Sequence, residues 1–104
     1  MRVIREETFG PVVPVIPVKN IKEAIKLAND SPYGLGASIW TGDLEKAENI
    51  AKELRVGMVW VNDTNTVYPQ LPWGGVKESG IGKELSKYGI LEFVNIKPVI
   101  IKYK

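Results

Sequence analysis

The chain has 104 residues, 44% of them hydrophobic and 25% charged, a composition of an ordinary globular protein and a length that suits one domain. Its formal charge of +2 is too small to argue for a nucleic-acid or acidic-membrane partner, and no apolar run is long enough to cross a bilayer. The absence of cysteine excludes a disulfide framework, a thiolate zinc site and a cysteine nucleophile within these residues, and no metal site is expected. A reducing cytoplasm fits that usage.

The opening "MRVIREETFG" lacks the apolar core of a signal peptide. Within it, Glu6 and Glu7 are adjacent acids, a pairing that suggests acid and base. Neighbours on an extended strand point to opposite faces, however, so at most one of them faces a site, with Phe9 on the same face. A carboxylate beside an aromatic ring suits a ribose hydroxyl and a flat ring. "VVPVIPV", Val12 to Val18, is β-branched and reads as an edge strand, because Pro14 and Pro17 each lack an N–H.

"NIKEAIKLAND" predicts a helix. Asn20 stands at its N-cap with Glu23 three residues on, as in a capping box, and Ile21, Ala24, Ile25 and Ala28 fall on one face. "SPYGLG" breaks the period. "GASIWT" predicts a second strand ending at Thr41. "DLEKAENIAKELRVG" repeats Leu44, Ala47, Ile50, Ala51 and Leu54 at helical spacing, with Gly57 just past the end. "MVWVN", Met58 to Asn62, is a third strand. Strand and helix alternating in this way imply parallel strands joined by right-handed crossovers, an α/β fold with a mostly parallel βαβαβ sheet.

The segment "DTNTVYPQLPWGGVKESGIG" has no period, and unstructured segments of such length are usually functional or disordered. Asn62 precedes it, at the strand end where open α/β sheets place ligands, although a cap or turn residue would stand there equally well. Tyr68, Pro69 and Trp73 can line an apolar pocket or pack the loop onto the core, and Tyr68 with Trp73 can form part of an aromatic wall for a cation. "GGVKESGIGKE" is not a phosphate loop: Gly75 and Gly80 have Walker spacing, but Ile81 stands where Lys is required. It is not a dinucleotide fingerprint either, since Leu85 stands where the last glycine would be. A tight turn into a short helix, Lys83 to Val94, is the remaining reading, followed by a last strand from Ile96 to Tyr103.

"EETFGP", "ANDSPYGLGASIWTGD", "GMVWVN", "PWGGVKESGIGKELSKYG" and "EFVNIKPV" resemble, in order and spacing, the C-terminal part of the NAD(P)-dependent aldehyde dehydrogenases. The resemblance covers nearly the whole chain and has the flavour of the succinate-semialdehyde branch. It implies that residues 1–94 are part of a catalytic domain and 95–104 an oligomerisation strand, and hence self-association through that strand. It implies that Glu7 hydrogen-bonds the nicotinamide ribose of NAD or NADP and that Phe9 contacts the nicotinamide ring. It implies that Val67, Leu71 and Trp73 wall the aldehyde tunnel above a supporting Asn62. Lys83 departs from the family's usual Arg and lacks its planar fork. The family's cofactor domain, nucleophilic cysteine, water-activating glutamate and oxyanion-hole asparagine find no counterpart here.

The expectation is therefore a piece of an aldehyde dehydrogenase, inactive alone and unable to bind cofactor tightly, whose partner is the remaining portion of the enzyme. A stand-alone α/β interaction module derived from that fold is the alternative. From Asp63 to Trp73 there is no Arg or Lys to clamp a distal carboxylate, only neutral polar groups such as Thr64, Thr66 and Gln70. Family flavour alone favours succinate semialdehyde. A cationic aldehyde such as betaine aldehyde would instead suit Tyr68 and Trp73.

Overall fold

The computed structural model describes residues 1–103. Arg2–Arg5 makes a single helical turn, α1. The next helix, α2, spans Ile21–Asn29 and begins where its orphan N–H groups find acceptors. Asn20 Oδ1 accepts from the Glu23 backbone N–H at 3.0 Å. The return bond of the predicted capping box reaches one residue further back, with Glu23 Oε2 accepting from the Lys19 N–H at 2.8 Å. At the other end, Lys77 Nζ donates to the carbonyls of Asn29 and Ser31, both at 3.0 Å, placing a cation on the helix C-terminus.

Two short strands follow, β1 (Tyr33–Gly34) and β2 (Gly36–Ile39), then α3 (Leu44–Glu53) and β3 (Met58–Val61). Asp43 caps α3 by accepting from the Lys46 N–H at 2.9 Å. β2 and β3 pair in parallel, with Gly36 opposite Met58 and Ser38 opposite Trp60, and α3 is their crossover. This β2–α3–β3 unit is the parallel core of the expected α/β fold. β4 (Val76–Lys77) pairs antiparallel with β1, outside that unit. α4 spans Ser86–Leu91.

Several expectations are corrected. Val12 to Val18 runs without strand pairing, so the first strand of the predicted βαβαβ unit is absent. Ile96 to Tyr103 likewise carries no strand in this single chain. Both have strand composition, but a strand exists only against a partner edge. Gly57 does not stop α3: the helix ends at Glu53, where Asn29 donates from Nδ2 to the Glu53 carbonyl at 2.9 Å and accepts from the Arg55 N–H at 2.7 Å. Gly57 instead meets the Gly74 carbonyl so closely that a Cβ would collide with it. The last helix starts three residues later than predicted, because Glu84 is engaged in a bridge with Trp73 and Leu85 sits at φ 59°.

Ile25 and Ala47 are the only buried apolar side chains among the described residues. They lie on α2 and α3, the two helices whose amphipathic spacing is clearest.

Candidate functional site

Two cavities flank the parallel pair. The first, about 660 Å³, lies between the N-terminal segment and the β1–β2 turn, and its lining includes Arg5, Glu6, Glu7, Tyr33 and Ser79. Three acids line it, Glu6, Glu7 and Glu78, and they are not equivalent. Glu6 is held by Arg2, which donates from Nε to Oε1 at 2.9 Å and from Nη2 to Oε2 at 2.8 Å. That hydrogen bond raises the Arg2 pKa above its already high ordinary value. Glu7 and Glu78 have no such partner among the described residues, so of the adjacent pair Glu6 and Glu7 it is Glu7 whose carboxylate is available to accept from a hydroxyl. The lining mixes these polar groups with apolar ones such as Ile4, Leu35 and Val56. Phe9 does not join them: it is 92% exposed at φ 33° and lines no part of the cavity.

The second cavity, about 410 Å³, opens on the other side of β3. Its wall includes Trp60, Asp63, Tyr68, Leu71 and Trp73, and no Lys or Arg. Trp60 and Trp73 pack with ring centroids 5.9 Å apart and planes tilted by 59°, a favourable edge-to-face type of contact. Leu71 and Trp73, two of the three expected tunnel residues, are therefore brought together here. Val67 is not on this wall and stands half-exposed.

Asn62 closes the strand ends above this cavity. At φ 54° it leaves the β region, which is why β3 stops at Val61. Its side chain then imitates a peptide. Oδ1 accepts from the Thr41 N–H at 2.8 Å and Nδ2 donates to the Thr41 carbonyl at 2.9 Å. Both strands are tied at the point where the loop departs.

The loop is itself closed on the glycine-rich turn. Trp73 and Glu84 exchange both backbone hydrogen bonds, at 2.8 and 2.7 Å, and the Ser86 N–H donates to the Pro69 carbonyl at 3.0 Å. Lys83 Nζ donates to the Gly74 and Gly75 carbonyls at 2.7 and 3.1 Å. A point-charge ammonium serves these two carbonyls without a planar fork. "GGVKESGIGKE" is thus a self-fastened turn that holds Trp73 in place.

A sequence model of the aldehyde dehydrogenase family matches residues 1–99. The chain belongs to that family. It is 48% identical over 99 residues to betaine aldehyde dehydrogenase of Bacillus subtilis, a match that covers 95% of this chain and 20% of that protein. Among solved structures, betaine aldehyde dehydrogenase of Staphylococcus aureus in complex with NAD+ superposes with a TM-score of 0.86 at 49% identity, over 89% of this chain and 18% of that one. Succinic semialdehyde dehydrogenase of Streptococcus pyogenes in complex with NADP+ superposes with a TM-score of 0.91 at 42% identity, over 96% of this chain and 22% of that one. The chain spans about a fifth of the length of the curated relatives it matches. Its structure is a short section of the aldehyde dehydrogenase fold, with the parallel sheet consistent with an α/β class.

Sequence reasoning missed Trp60. Its place in "MVWVN" reads only as a strand residue, and its partner Trp73 lies beyond a loop that carries no period. Asn29 was hidden for the same reason, since its two partners, Glu53 and Arg55, lie at the end of α3 and just past it.

Proposed function

We propose that this chain supplies one section of an aldehyde dehydrogenase that oxidises a cationic aldehyde to its acid with NAD(P). The observation that carries the substrate class is the second cavity: two tryptophans, a tyrosine and Asp63 on one wall with no cationic side chain. Aromatic faces and a carboxylate attract an ammonium group and give a distal carboxylate nothing to bind. The names of relatives among the betaine aldehyde dehydrogenases agree with this choice. Succinate semialdehyde, favoured by family flavour, has the Streptococcus pyogenes likeness behind it but would meet Asp63 here.

In this reading the aldehyde lies along Trp73 and Leu71, and Glu7 accepts a hydrogen bond from the cofactor ribose. When bound, NAD(P) supplies the hydride acceptor. The thiolate that attacks the aldehyde comes from outside these residues, since the chain has no cysteine. The rest of the fold, on the same polypeptide or another, is therefore the partner, and the chain alone neither turns over aldehyde nor binds cofactor tightly.

Steady-state kinetics of the complete enzyme with betaine aldehyde and with succinate semialdehyde test the substrate class. A kcat/KM at least about tenfold higher for the cationic aldehyde is expected from one desolvated cation–aromatic contact. A preference for succinate semialdehyde would overturn this choice.

A further inference from the structure

Trp60 is half-buried at the middle of β3, between two cavities. On one side its ring tilts against Trp73 at 5.9 Å. On the other it lies over Gly36 of the neighbouring strand, so closely that a Cβ at that position would collide with ring atom Cζ3. Its indole Nε1–H donates to the Thr66 backbone carbonyl at 3.0 Å, which pins the middle of the loop that carries Tyr68 and Leu71. One side chain thus meets the rigid parallel pair, the loop and the tunnel tryptophan. Each contact is of a different kind: van der Waals exclusion, a hydrogen bond, and an aromatic pair.

We propose that Trp60 is the positioning residue of the aldehyde tunnel, transmitting the fixed geometry of β2 and β3 to Trp73 and the 62–73 loop. The proposal rests on the reading of the second cavity as the aldehyde wall. An aromatic face binds a cation only where its centroid can be reached at close range, so a displaced Trp73 loses affinity. Trp60 lines the same wall, so Trp60→Leu removes wall as well as displacing Trp73, whereas a change at Gly36 acts on that wall through the indole alone. The small side of β2 is part of the device, because Gly36 leaves the space that the indole fills.

The test is kinetics of the complete enzyme carrying Trp60→Leu, Trp60→Phe and Gly36→Ala, with betaine aldehyde as the cation and 3,3-dimethylbutanal as its neutral isostere. Trp60→Leu is expected to raise KM for betaine aldehyde about tenfold and for the isostere less, with kcat within about twofold. Trp60→Phe, which keeps a ring behind Trp73 but loses the bond to Thr66, should recover part of that loss. Gly36→Ala, outside the second cavity but on the lining of the first, should raise the same KM by pressing on the indole, and should raise it more for betaine aldehyde than for the neutral isostere. An unchanged aldehyde KM in Gly36→Ala and Trp60→Phe would overturn the proposal, and does so even if Trp60→Leu fails to fold. In Trp60→Phe, which lies off the first cavity, a fall in kcat with aldehyde and cofactor KM altered together would also overturn it, as the mark of a merely structural role. A wild-type enzyme that prefers succinate semialdehyde would refute the cationic substrate and leave Trp60 to be judged by the same KM shifts on that aldehyde.

Discussion

Asn62 and Asn29 do similar work at opposite ends of the α/β unit. Each uses its amide as a spare peptide group, satisfying backbone atoms where a strand or helix ends. Replacing Asn62 by Ala removes two hydrogen bonds to Thr41, a local cost of about 1–2 kcal/mol. Amide exchange at Thr41 should then quicken about tenfold, with α2 unaffected. The adjacent acids make a second comparison. Because Arg2 occupies Glu6 and leaves Glu7 available, Glu7→Gln in the complete enzyme is expected to raise KM for the cofactor about tenfold, the loss of a charged acceptor. Glu6→Gln should leave it within about twofold, since an exposed pair contributes little. Equal effects of the two substitutions would place the cofactor contact elsewhere.

The regular elements were legible where their cause is local. Asn20 and Glu23 announce the start of α2, and Asn20→Ala should cost about 1 kcal/mol, read as lost helicity by circular dichroism. The period of Ala47 and its neighbours announces α3, and the β-branched runs announce β2 and β3. What failed was non-local. Val12 to Val18 and Ile96 to Tyr103 have strand residues, but sequence cannot supply the edge on which they would lie. α4 came out shorter than predicted because the Trp73–Glu84 bridge and the positive φ of Leu85 precede it, and neither leaves a mark in periodicity. Of the candidate site, Leu71 and Trp73 were legible through family motifs and do share a wall. Trp60 was not, because a tryptophan in a strand reads as core until its partner across the loop is known. Gly36 reads as a break in the helical period and Gly57 as a helix stop, whereas each is required by the close approach of a distant group.

At the scale of the molecule, apolar side chains outnumber the places to bury them. The Cα radius of gyration is 18.5 Å, against about 13 Å for a compact chain of this size. Phe93, Ile96, Ile100 and Tyr103 are each more than 80% exposed along the C-terminal segment. Such surface, together with unpaired strand-forming segments, drives association. Light scattering of the isolated chain at micromolar concentration should therefore show a dimer or larger, and truncation after Val94 should reduce it. A strictly monomeric chain would contradict this expectation.

In the proposed reading these surfaces fit the rest of an aldehyde dehydrogenase, and complementation tests that proposal most directly. The chain is mixed with the cysteine-bearing remainder of the fold, and the formation of reduced cofactor is followed with betaine aldehyde. Neither part alone should turn over, and the chain alone should bind NAD or NADP no more tightly than about 1 mM, since one ribose bond does not offset the cost of ordering the cofactor. The mixture should oxidise the aldehyde, with a cofactor KM that Glu7→Gln raises. Turnover or micromolar cofactor binding by the chain alone would contradict the account, as would an inert mixture of well-folded parts, which would favour an interaction module that has kept the fold and left the chemistry.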